Sequence, residues 1–266
     1  MAVAKQAPAA LVTGAGVRIG RAIALELGRR GHAIAVHCNR SRQDAEAVAA
    51  EITAAGGRAA VVQADLSDHA AVAGLVAQAA AALGPLAVLV NNASLFEYDH
   101  VETASEDSWD RHLDTNLKAP FFLSQAFAAQ LPQDLPGGAA GNIVNIVDMR
   151  VWRLTPHFAS YTVAKAGLWT LTQTLAMALA PRIRVNAIGP GPVLPSPRQS
   201  PEQFQRQWQG TPLRRGAHPE EIAATVGFLL DAPAVTGQMI AMDGGQHLPW
   251  QQAGAPLSPG SADLEE

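Results

Sequence analysis

The sequence predicts an α/β fold in which a single domain carries a doubly wound sheet of seven mostly parallel strands flanked by helices. Seven short apolar runs alternate along the chain with amphipathic stretches of helical spacing. This alternation, with right-handed crossovers, is typical of parallel sheets that are covered on both faces. No linker or internal repeat interrupts the pattern, and 266 residues can bury one sizeable core.

The elements follow one another in a regular order. The predicted strands are Ala9–Val12, Ala33–His37, Arg58–Gln63, Ala87–Asn91, Asn142–Val147, Ile183–Ile188 and Met239–Met242. The predicted helices cover residues 18–30, 42–55, 68–83, 106–131, 159–180 and 219–231. Pro132–Gly141 is expected to be a turn-rich connection, and residues 192–218, rich in Pro, Gln and Arg, are expected to form a lid or loop without a clear element. The domain is therefore predicted to span residues 1–248, followed by a mobile tail at 249–266.

Composition narrows the class of partner. The net charge is -4, and no basic cluster or stripe is present, which argues against nucleic acid and anionic membranes as partners. Cys38 is the only cysteine, so no internal disulfide forms, as expected in a reducing cytoplasm. No signal-peptide core or membrane-spanning run is present, and no metal site is predicted. We expect a soluble, cytoplasmic protein.

A glycine-rich turn follows the first predicted strand and opens the first helix. Its sequence, Thr13-Gly-Ala-Gly-Val-Arg-Ile-Gly20, lets backbone N–H groups approach a phosphate at a helix N-terminus. The position of the turn favours a dinucleotide over a plain tight turn. Arg18 occupies a position where glycine would be unremarkable, and it either reaches an anionic ligand or is a solvated residue of the first helical turn.

The end of the second strand indicates which dinucleotide is bound. The segment is His37-Cys-Asn-Arg-Ser41. An acidic residue here would accept hydrogen bonds from the ribose 2′-OH of NAD, whereas a basic residue accommodates the 2′-phosphate of NADP. Arg40 and Ser41, with no acid beside them in the sequence, therefore favour NADPH, although Ser41 could also serve only as a helix N-cap.

The ends of the third and fourth strands carry further polar residues. Asp65 and Ser67 are candidates for capping the next helix, and capping is the favoured role for Ser67. In Asn91-Asn-Ala-Ser94, the small Ala93 permits close approach of a cofactor, and the asparagines could equally tie down loop backbone. Asn116 has poor helix propensity, which indicates a hydrogen-bonding role. Phe96 has an ordinary explanation as a packing residue.

The candidate catalytic residues are Tyr161, Lys165 and Asp148. Tyr161 and Lys165 lie one turn apart on one helix face, so an ammonium there would favour the phenolate and assist proton transfer. Asp148 follows the apolar run 142–147, at a strand end where open α/β sheets place their active sites. The alternative is a surface pair on a helix beside a strand-terminating Asp.

Together these motifs resemble the short-chain dehydrogenase/reductase family over roughly residues 8–248. The resemblance rests on Thr13–Gly20, Asn91–Ser94, Asn116, Tyr161 with Lys165, Pro190–Gly191 and Asp243–Gly245. It implies a seven-stranded Rossmann-type sheet, a bound NAD(P)(H) and usually a homotetramer. It also implies that Tyr161 donates the proton, that Lys165 holds the ribose and tunes Tyr161, and that Asn116 orders a water.

Two departures from the family pattern resemble the pteridine reductases. Asp148 replaces the family's usual Ser, and Arg18 replaces the middle glycine of the turn. The segment His37-x-x-Arg40-Ser41 is similar to that subfamily's grip on the NADPH phosphate, and Phe96 matches the ring that stacks a pterin on the nicotinamide. Bacterial dihydromonapterin reductases share several of these features. Pro195 stands where the family commonly has a Thr, which leaves the grip on the nicotinamide carboxamide open.

The resemblance and the motifs define the candidate site. The catalytic candidates are Asp148, Tyr161, Lys165 and Asn116. The NADPH-binding candidates are Gly14, Arg18, Ile19, Gly20, His37, Asn39, Arg40, Ser41, Asp65, Leu66, Asn91, Ala93, Ser94, Tyr161, Lys165, Pro190, Gly191 and Val193. The substrate-binding candidates are Arg18, Ser94, Phe96, Asp148 and Tyr161.

Asp148 is the residue that best distinguishes pterin reduction from carbonyl reduction. A carboxylate beside Tyr161 would repel the developing oxyanion of a ketone, but it can accept from the ring N–H and amino groups of a pterin and, when protonated, supply a proton. We therefore expect hydride transfer from NADPH to a C=N bond of a pterin or folate, with the proton delivered through Tyr161 and Asp148. The alternatives are a keto or enoyl reductase and a catalytically silent NADP-binding sensor.

Overall fold

The computed structural model describes residues 8–131, 141–196 and 198–248. Its centre is a seven-stranded sheet of order β3-β2-β1-β4-β5-β6-β7, and every neighbouring pair is parallel. The strands are β1 Ala9–Val12, β2 Ile34–Cys38, β3 Ala59–Gln63, β4 Leu86–Asn91, β5 Gly141–Ile146, β6 Ile183–Pro190 and β7 Met239–Met242. The predicted doubly wound α/β fold is confirmed, and every predicted strand is present.

Helices cover both faces of the sheet. They are α1 Arg18–Arg29, α2 Arg42–Ala54, α3 His69–Leu83, α4 Glu106–Leu113, α5 Ala119–Gln130, α6 Ala159–Leu179, α7 Pro201–Gln209 and α8 Pro219–Asp231. Helices α1, α2 and α8 pack on one face, where Ile23, Val48 and Ile222 are buried. Helices α3, α5 and α6 pack on the other, around the fully buried Leu75 and Phe127. Among the described residues, no helix is long and apolar enough to cross a membrane.

Two segments differ from the sequence prediction. The predicted helix over 106–131 is divided by a π-helical turn, Asp114–Lys118, between α4 and α5. Residues 192–218, expected to lack a clear element, contain α7, which begins with a capping box between Ser200 and Gln203. Gly141 opens β5 and is not part of the turn-rich connection; the rest of that connection, 132–140, and the predicted tail at 249–266 lie outside the described residues.

The strand order positions the site. Chain crossovers leave β1 in opposite directions, because β2 and β3 lie on one side of it and β4 to β7 on the other. A crevice forms outside the carboxyl ends of the strands at such a switch point. The loops after β1, β2, β4, β5 and β6 all open into this crevice.

Candidate active site

The crevice is a cavity of about 890 Å³ at the carboxyl edge of the sheet. Its wall includes the glycine-rich turn, the ends of β2 and β5, the start of α6 and the segment before α7. A volume of this size lies at the upper end of the range for sites of small molecules and cofactors.

The glycine-rich turn is shaped by two glycines. Gly14 has a left-handed backbone, with φ of 61°, which favours glycine. A Cβ on Gly20 would lie 2.1 Å from the carbonyl oxygen of Gly14, so no side chain fits there. The turn therefore stays bare on the side where α1 begins and where a helix favours negative charge.

His37 fixes this turn from below. Its Nδ1 accepts a hydrogen bond from the N–H of Gly14 at 3.0 Å, and its Nε2 lies 3.2 Å from the carbonyl oxygen of Ala64. Because a backbone N–H can only donate, Nε2 carries the proton of the neutral ring. Burial lowers the pKa of His37 to about 4, against the opposing effects of the Ala64 carbonyl and Asp65. His37 thus lines the cavity but uses both nitrogens to hold backbone.

The far end of the cavity lies beside the ends of β2 and β3. Asn39 and Arg40 are exposed there. The pKa of Asp65 is lowered, chiefly because it accepts from the N–H and hydroxyl of Ser67 and to a smaller extent through Asn39 and Arg40. Asp65, just after the end of β3, is therefore a carboxylate close to Arg40 in space. The sequence of residues 37–41 alone gives no sign of it.

The capping interpretations are only partly correct. Ser41 occupies the N-cap position of α2, although its side chain makes no capping hydrogen bond. The cap of α3 is Asp68, whose carboxylate accepts from the N–H of Ala70 at 2.9 Å, and neither Asp65 nor Ser67 fills that role. The carboxylate of Asp65 is used in an Asx-type turn, in which it accepts from the N–H of Ser67. The following acid, Asp68, therefore stands at the start of the helix.

Asn91 and Asn92 have different hydrogen-bonding roles. Asn91 is buried and donates to Oδ1 of Asn145 on β5 at 2.8 Å, so its side chain stays inside the sheet layer and does not line the cavity. Asn92 donates to the carbonyl oxygens of Thr13 at 2.8 Å and Gly14 at 3.1 Å and does line it. The side-chain contact with the glycine-rich turn belongs to Asn92.

Tyr161 and Asp148 form the polar centre of the cavity. The Tyr161 hydroxyl donates to Oδ2 of Asp148 at 2.9 Å, and the N–H of Arg150 donates to Oδ1 at 2.8 Å. Asp148 reaches this position because it is extended and caps the short 3-10 turn Met149–Val151 that follows β5. Both carboxylate oxygens accept hydrogen bonds in this arrangement.

The pKa of Tyr161 is raised well above its ordinary value. Burial is the largest cause, followed by the charge and the hydrogen bond of Asp148, while Arg150 and Ser94 act in the opposite direction. The expectation that Lys165 would favour the phenolate is wrong for this arrangement. The Lys165 ammonium donates to the carbonyl oxygen of Ile146 at 2.8 Å and lies 5.7 Å from the centre of the Tyr161 ring. Tyr161 therefore keeps its proton at neutral pH.

Lys165 is itself a buried base. Only 2% of the residue is exposed, and burial lowers the pKa of its ammonium to about 8, with the charge of Asp148 opposing the shift. With this pKa the amine is still mostly charged at neutral pH, but it loses its proton at a lower pH than an exposed lysine does.

Asn116 lies in the π-helical turn and is fully buried. Its Oδ1 accepts from the N–H of Leu95, and its Nδ2 donates to the carbonyl oxygen of Leu95, each at 2.8 Å. The side chain is thus used to fix the loop that carries Phe96, and Asn116 does not line the cavity. π-helical turns are frequent at functional sites because they displace backbone groups from the regular ladder.

Aromatic rings form the wall opposite the sheet. The ring of Phe96 stacks on that of Phe158 at 4.4 Å and an angle of 8°, and it meets the Tyr161 ring edge-on at 4.7 Å. Phe158 holds a left-handed backbone with φ of 58°, which is strained for a bulky residue. Phe96 is 38% exposed and lies in the cavity, so it is not a core residue.

A buried polar cluster joins the loop of Phe96 to the start of α6. The Asp99 carbonyl accepts from the N–H of Phe158 at 2.7 Å, and its carboxylate accepts from the N–H and hydroxyl of Ser160. The Ser160 hydroxyl also lies 2.9 Å from Nδ1 of His112, whose Nε2 accepts from the N–H of Glu97 at 3.1 Å. Asp99, Ser160 and His112 are named the Asp99 cluster below. Asp99 and His112 hold Ser160, the residue that precedes Tyr161.

Arg18 connects the glycine-rich turn to the chain that follows β6. Its backbone is left-handed, with φ of 54°. Its guanidinium donates to the carbonyl oxygens of Leu194 at 3.1 Å and Pro195 at 3.0 Å. The glycine-rich turn is thereby fastened to residues 194–195, which precede α7 in the chain.

Most of the sequence-predicted site residues lie together in the cavity wall. The residues brought together are Gly14, Arg18, Ile19, Gly20, His37, Asn39, Arg40, Ser41, Asp65, Leu66, Ala93, Ser94, Phe96, Asp148, Tyr161, Lys165, Pro190, Gly191 and Val193. Asn91 and Asn116 stand behind the wall. Asn92 was considered only as a residue that ties down loop backbone, and Arg150, Phe158 and Arg198 were not predicted. Arg150, two residues after Asp148, lies close enough in sequence to have been suspected. Within the described residues, no group of His, Cys, Asp and Glu suits a metal ion.

Comparison with known proteins gives matches over nearly the whole chain. Residues 14–247 match a family model described as enoyl-(acyl carrier protein) reductase. The 3-oxoacyl-[acyl-carrier-protein] reductase FabG of Staphylococcus aureus is 35% identical over 92% of this chain and 100% of its own length. The structure of FolM alternative dihydrofolate reductase 1 from Brucella suis, in complex with NADP, is 50% identical with a TM-score of 0.87, covering 92% of this chain and 96% of that one. A short-chain dehydrogenase from Burkholderia cenocepacia in complex with NADP is 33% identical with a TM-score of 0.83, covering 90% and 97%.

Proposed function

The chain belongs to the short-chain dehydrogenase/reductase family, and from this premise we propose that it catalyses the NADPH-dependent reduction of a pteridine. The bond reduced is a C=N bond of the dihydropterin or dihydrofolate type. The observation that carries the proposal is the hydrogen bond between Tyr161 and Asp148, beside the Phe96 ring. A ketone would meet a carboxylate at this point, whereas a 2-amino-4-oxopteridine offers it N–H donors.

The residues of the cleft fit NADPH. Gly14 and Gly20 keep the turn bare at the N-terminus of α1, which suits a pyrophosphate. Arg40 offers an exposed guanidinium at the end of β2, which suits a 2′-phosphate. The NADP in the Brucella suis and Burkholderia cenocepacia structures supports the same assignment. When bound, NADPH supplies the hydride.

The remaining steps fall to side chains. Phe96 stacks on the heterocycle, and Asp148 accepts from its N–H groups and so fixes its orientation. Tyr161, which is protonated at neutral pH, passes its proton to the ring nitrogen of the reduced bond. Asp148, when protonated, returns a proton to Tyr161 across their 2.9 Å hydrogen bond. Lys165 binds the nicotinamide ribose, and Asn116 holds the Phe96 loop in place.

Reduction of a keto or enoyl thioester is the second candidate. It is favoured by the names of the family model and of the Staphylococcus aureus relative, and it requires Asp148 to be a tolerated replacement. A silent NADP-binding sensor is the third, and retention of Tyr161, Lys165 and Asn116 argues against it.

Whichever reductase activity is correct, we propose that the protein is a cytoplasmic homotetramer. The exposed Trp109, Phe121 and Val163 on α4, α5 and α6 support burial of a helix face between copies.

One assay separates the three candidates. NADPH oxidation is followed by absorbance with dihydrobiopterin, dihydromonapterin, dihydrofolate, folate, acetoacetyl and crotonyl thioesters, and simple ketones. The proposal expects turnover with at least one dihydropteridine and a much lower kcat/KM for thioesters and ketones. Preference for a thioester would support the second candidate, and binding of NADPH without turnover of any compound would support the third.

A further inference from the structure

Two arginines of the cavity wall stand against the aromatic pair formed by Phe96 and Phe158. The guanidinium carbon of Arg198 lies 5.8 Å from the centre of the Phe96 ring, and that of Arg150 lies 5.1 Å from the centre of the Phe158 ring. The two rings are stacked on each other. Arg150 and Arg198, called the arginine pair below, are therefore placed around the rings on which a flat substrate would rest.

Neighbouring groups hold both guanidinium groups in place. Arg198 donates from Nη2 to the carbonyl oxygen of Phe96 at 2.9 Å. Arg150 donates from Nη1 to the hydroxyl of Thr155, and its Nε is buried without a hydrogen-bond partner among the described residues. These contacts restrict where the two guanidinium groups lie in the cavity wall.

Ion pairing distinguishes the arginine pair from Arg111. Within the described part of the chain, neither guanidinium of the pair forms an ion pair, although the Asp148 carboxylate accepts from the backbone N–H of Arg150, whereas Arg111 on the same cavity wall is matched by Glu97 at 2.9 Å. The nearby Gln199, Gln203 and Gln207 are polar and neutral. A planar guanidinium fork matches a carboxylate better than any other common anion except phosphate.

We propose that the arginine pair binds a carboxylate on the tail of the substrate, so that the enzyme prefers pteridines with an acidic tail. This inference rests on the proposed function. The phosphates of the dinucleotide are accounted for by the glycine-rich turn and Arg40, which leaves the arginine pair for the substrate. The Phe96 ring would hold the heterocycle, and Arg198 and Arg150 would engage the anionic end of the same molecule.

The test compares substrates that differ only in tail charge. Dihydrofolate is measured against its glutamate dimethyl ester, which keeps the size but loses both carboxylates, and dihydrobiopterin serves as a pteridine with a neutral side chain. The variants are Arg198→Gln, Arg150→Gln and Arg198→Lys, with Arg29→Gln as the net-charge control because Arg29 pairs with Glu26 on the outside of α1. The quantity of interest is the ratio of kcat/KM for dihydrofolate to that for its ester, in which any general loss of activity cancels.

We expect the wild-type ratio to exceed unity by about tenfold or more, as for loss of a hydrogen bond to a charged group. Arg198→Gln and Arg150→Gln should each lower it, Arg198→Lys should lower it less, and Arg29→Gln should leave it unchanged. Added NaCl should lower the wild-type ratio because the arginine pair is partly exposed. A wild-type ratio near unity, or one that neither glutamine variant changes, would overturn the proposal and leave Arg198 as a fastener of the Phe96 loop.

Binding separates this proposal from the function on which it rests. The dissociation constants of dihydrofolate and its ester are measured calorimetrically with the enzyme saturated by NADP⁺, where no turnover occurs. If no pteridine is reduced, the proposed function fails, and equal affinity for acid and ester in this complex overturns the arginine assignment independently. Should Arg150→Gln fail to fold, Arg198→Gln still decides, because Arg198 is exposed.

Discussion

The hydroxyl of Tyr161 donates to a carboxylate oxygen of Asp148 at 2.9 Å, and the same carboxylate contributes to the raised pKa of Tyr161. Tyr161 and Asp148 are therefore one electrostatic unit. Changing Asp148 alters both the strength of the donor and what the cavity can recognise.

Asp148→Ser separates pterin reduction from carbonyl reduction. It removes an acid group and the N–H acceptor, so kcat/KM for dihydropterin reduction should fall by about 10²–10⁴-fold. Asp148→Asn should be similarly harmful, and Tyr161→Phe serves as the reference for loss of the donor. Steady-state kinetics on all three variants, with NADPH binding checked by fluorescence, make the comparison. Near-full pterin activity in Asp148→Ser would contradict the proposed function.

Arg40→Asp tests the choice of cofactor. The unaltered protein should prefer NADPH strongly over NADH, and the variant should lose charge-assisted hydrogen bonds to the 2′-phosphate worth about 1.5–3 kcal/mol each. Dissociation constants for both cofactors give the answer. Equal kcat/KM with NADPH and NADH in the unaltered protein would show that Arg40 does not select the phosphate.

Phe96→Ala tests the stacking ring. The substrate KM should rise several-fold, because aromatic pairing contributes about 0.5–1.5 kcal/mol beyond area burial, while NADPH affinity stays nearly constant. Phe96→Tyr retains a ring of similar size and should keep KM close to the original. If Phe96→Ala loses NADPH binding or unfolds, the ring supports the fold and does not stack on substrate.

Ser160→Ala tests the Asp99 cluster. The change removes the hydroxyl shared by Asp99 and His112, which should lower stability by about 1–3 kcal/mol and also shift the substrate KM or kcat by several-fold. NADPH affinity should not move, and Ser160→Thr, which keeps the hydroxyl, should restore part of the loss. A lower Tm with unchanged kinetic constants well below the Tm would assign the cluster a purely structural role.

Lys165→Met tests the cost of burying a cation. The pKa of Lys165 is lowered from 10.5 to about 8, so below about pH 8 the folded protein holds a desolvated ammonium. Between about pH 8 and 10.5 the unfolded chain binds more protons, and wild-type stability therefore rises with pH by a few kcal/mol at most. Urea unfolding of both proteins across this range should show the wild type gaining on the inactive variant as pH rises. Parallel pH profiles would contradict the buried-charge account.

Much of the fold could be predicted because burial on both faces makes parallel strands continuous apolar runs. Helix α7 was missed because it is short and mostly polar, with Phe204 and Trp208 as its only large apolar residues, although its capping box, Ser200 with Gln203, is visible in the sequence. The spacing of apolar residues over 106–131 does not indicate that a π-helical turn interrupts the helix at Asn116. Residue types alone could not decide whether Asn91 or Asn92 faces the cavity.

The rest of the site depends on distant residues. Asp99 and Ser160 are 61 positions apart, and Arg198 meets the Phe96 carbonyl across 102 positions. No local spacing connects such partners, and only the packing of α6 and the approach to α7 against the Phe96 loop brings them together. The pKa of Tyr161 is raised chiefly by burial and then by Asp148, and how deeply a side chain is buried depends on the packed fold and not on local spacing.

The bridge from Arg18 to Leu194 and Pro195 has a consequence for the order of events in turnover. If a dinucleotide bound along the glycine-rich turn lies under this bridge, its release requires two hydrogen bonds to break and residues 194–195 to move away from the turn. We therefore expect an ordered kinetic mechanism in which the nucleotide enters first and departs last, with its departure limiting the steady-state rate. Arg18 would then control the rate of nucleotide release. A shorter side chain at this position should weaken nucleotide binding and speed its release.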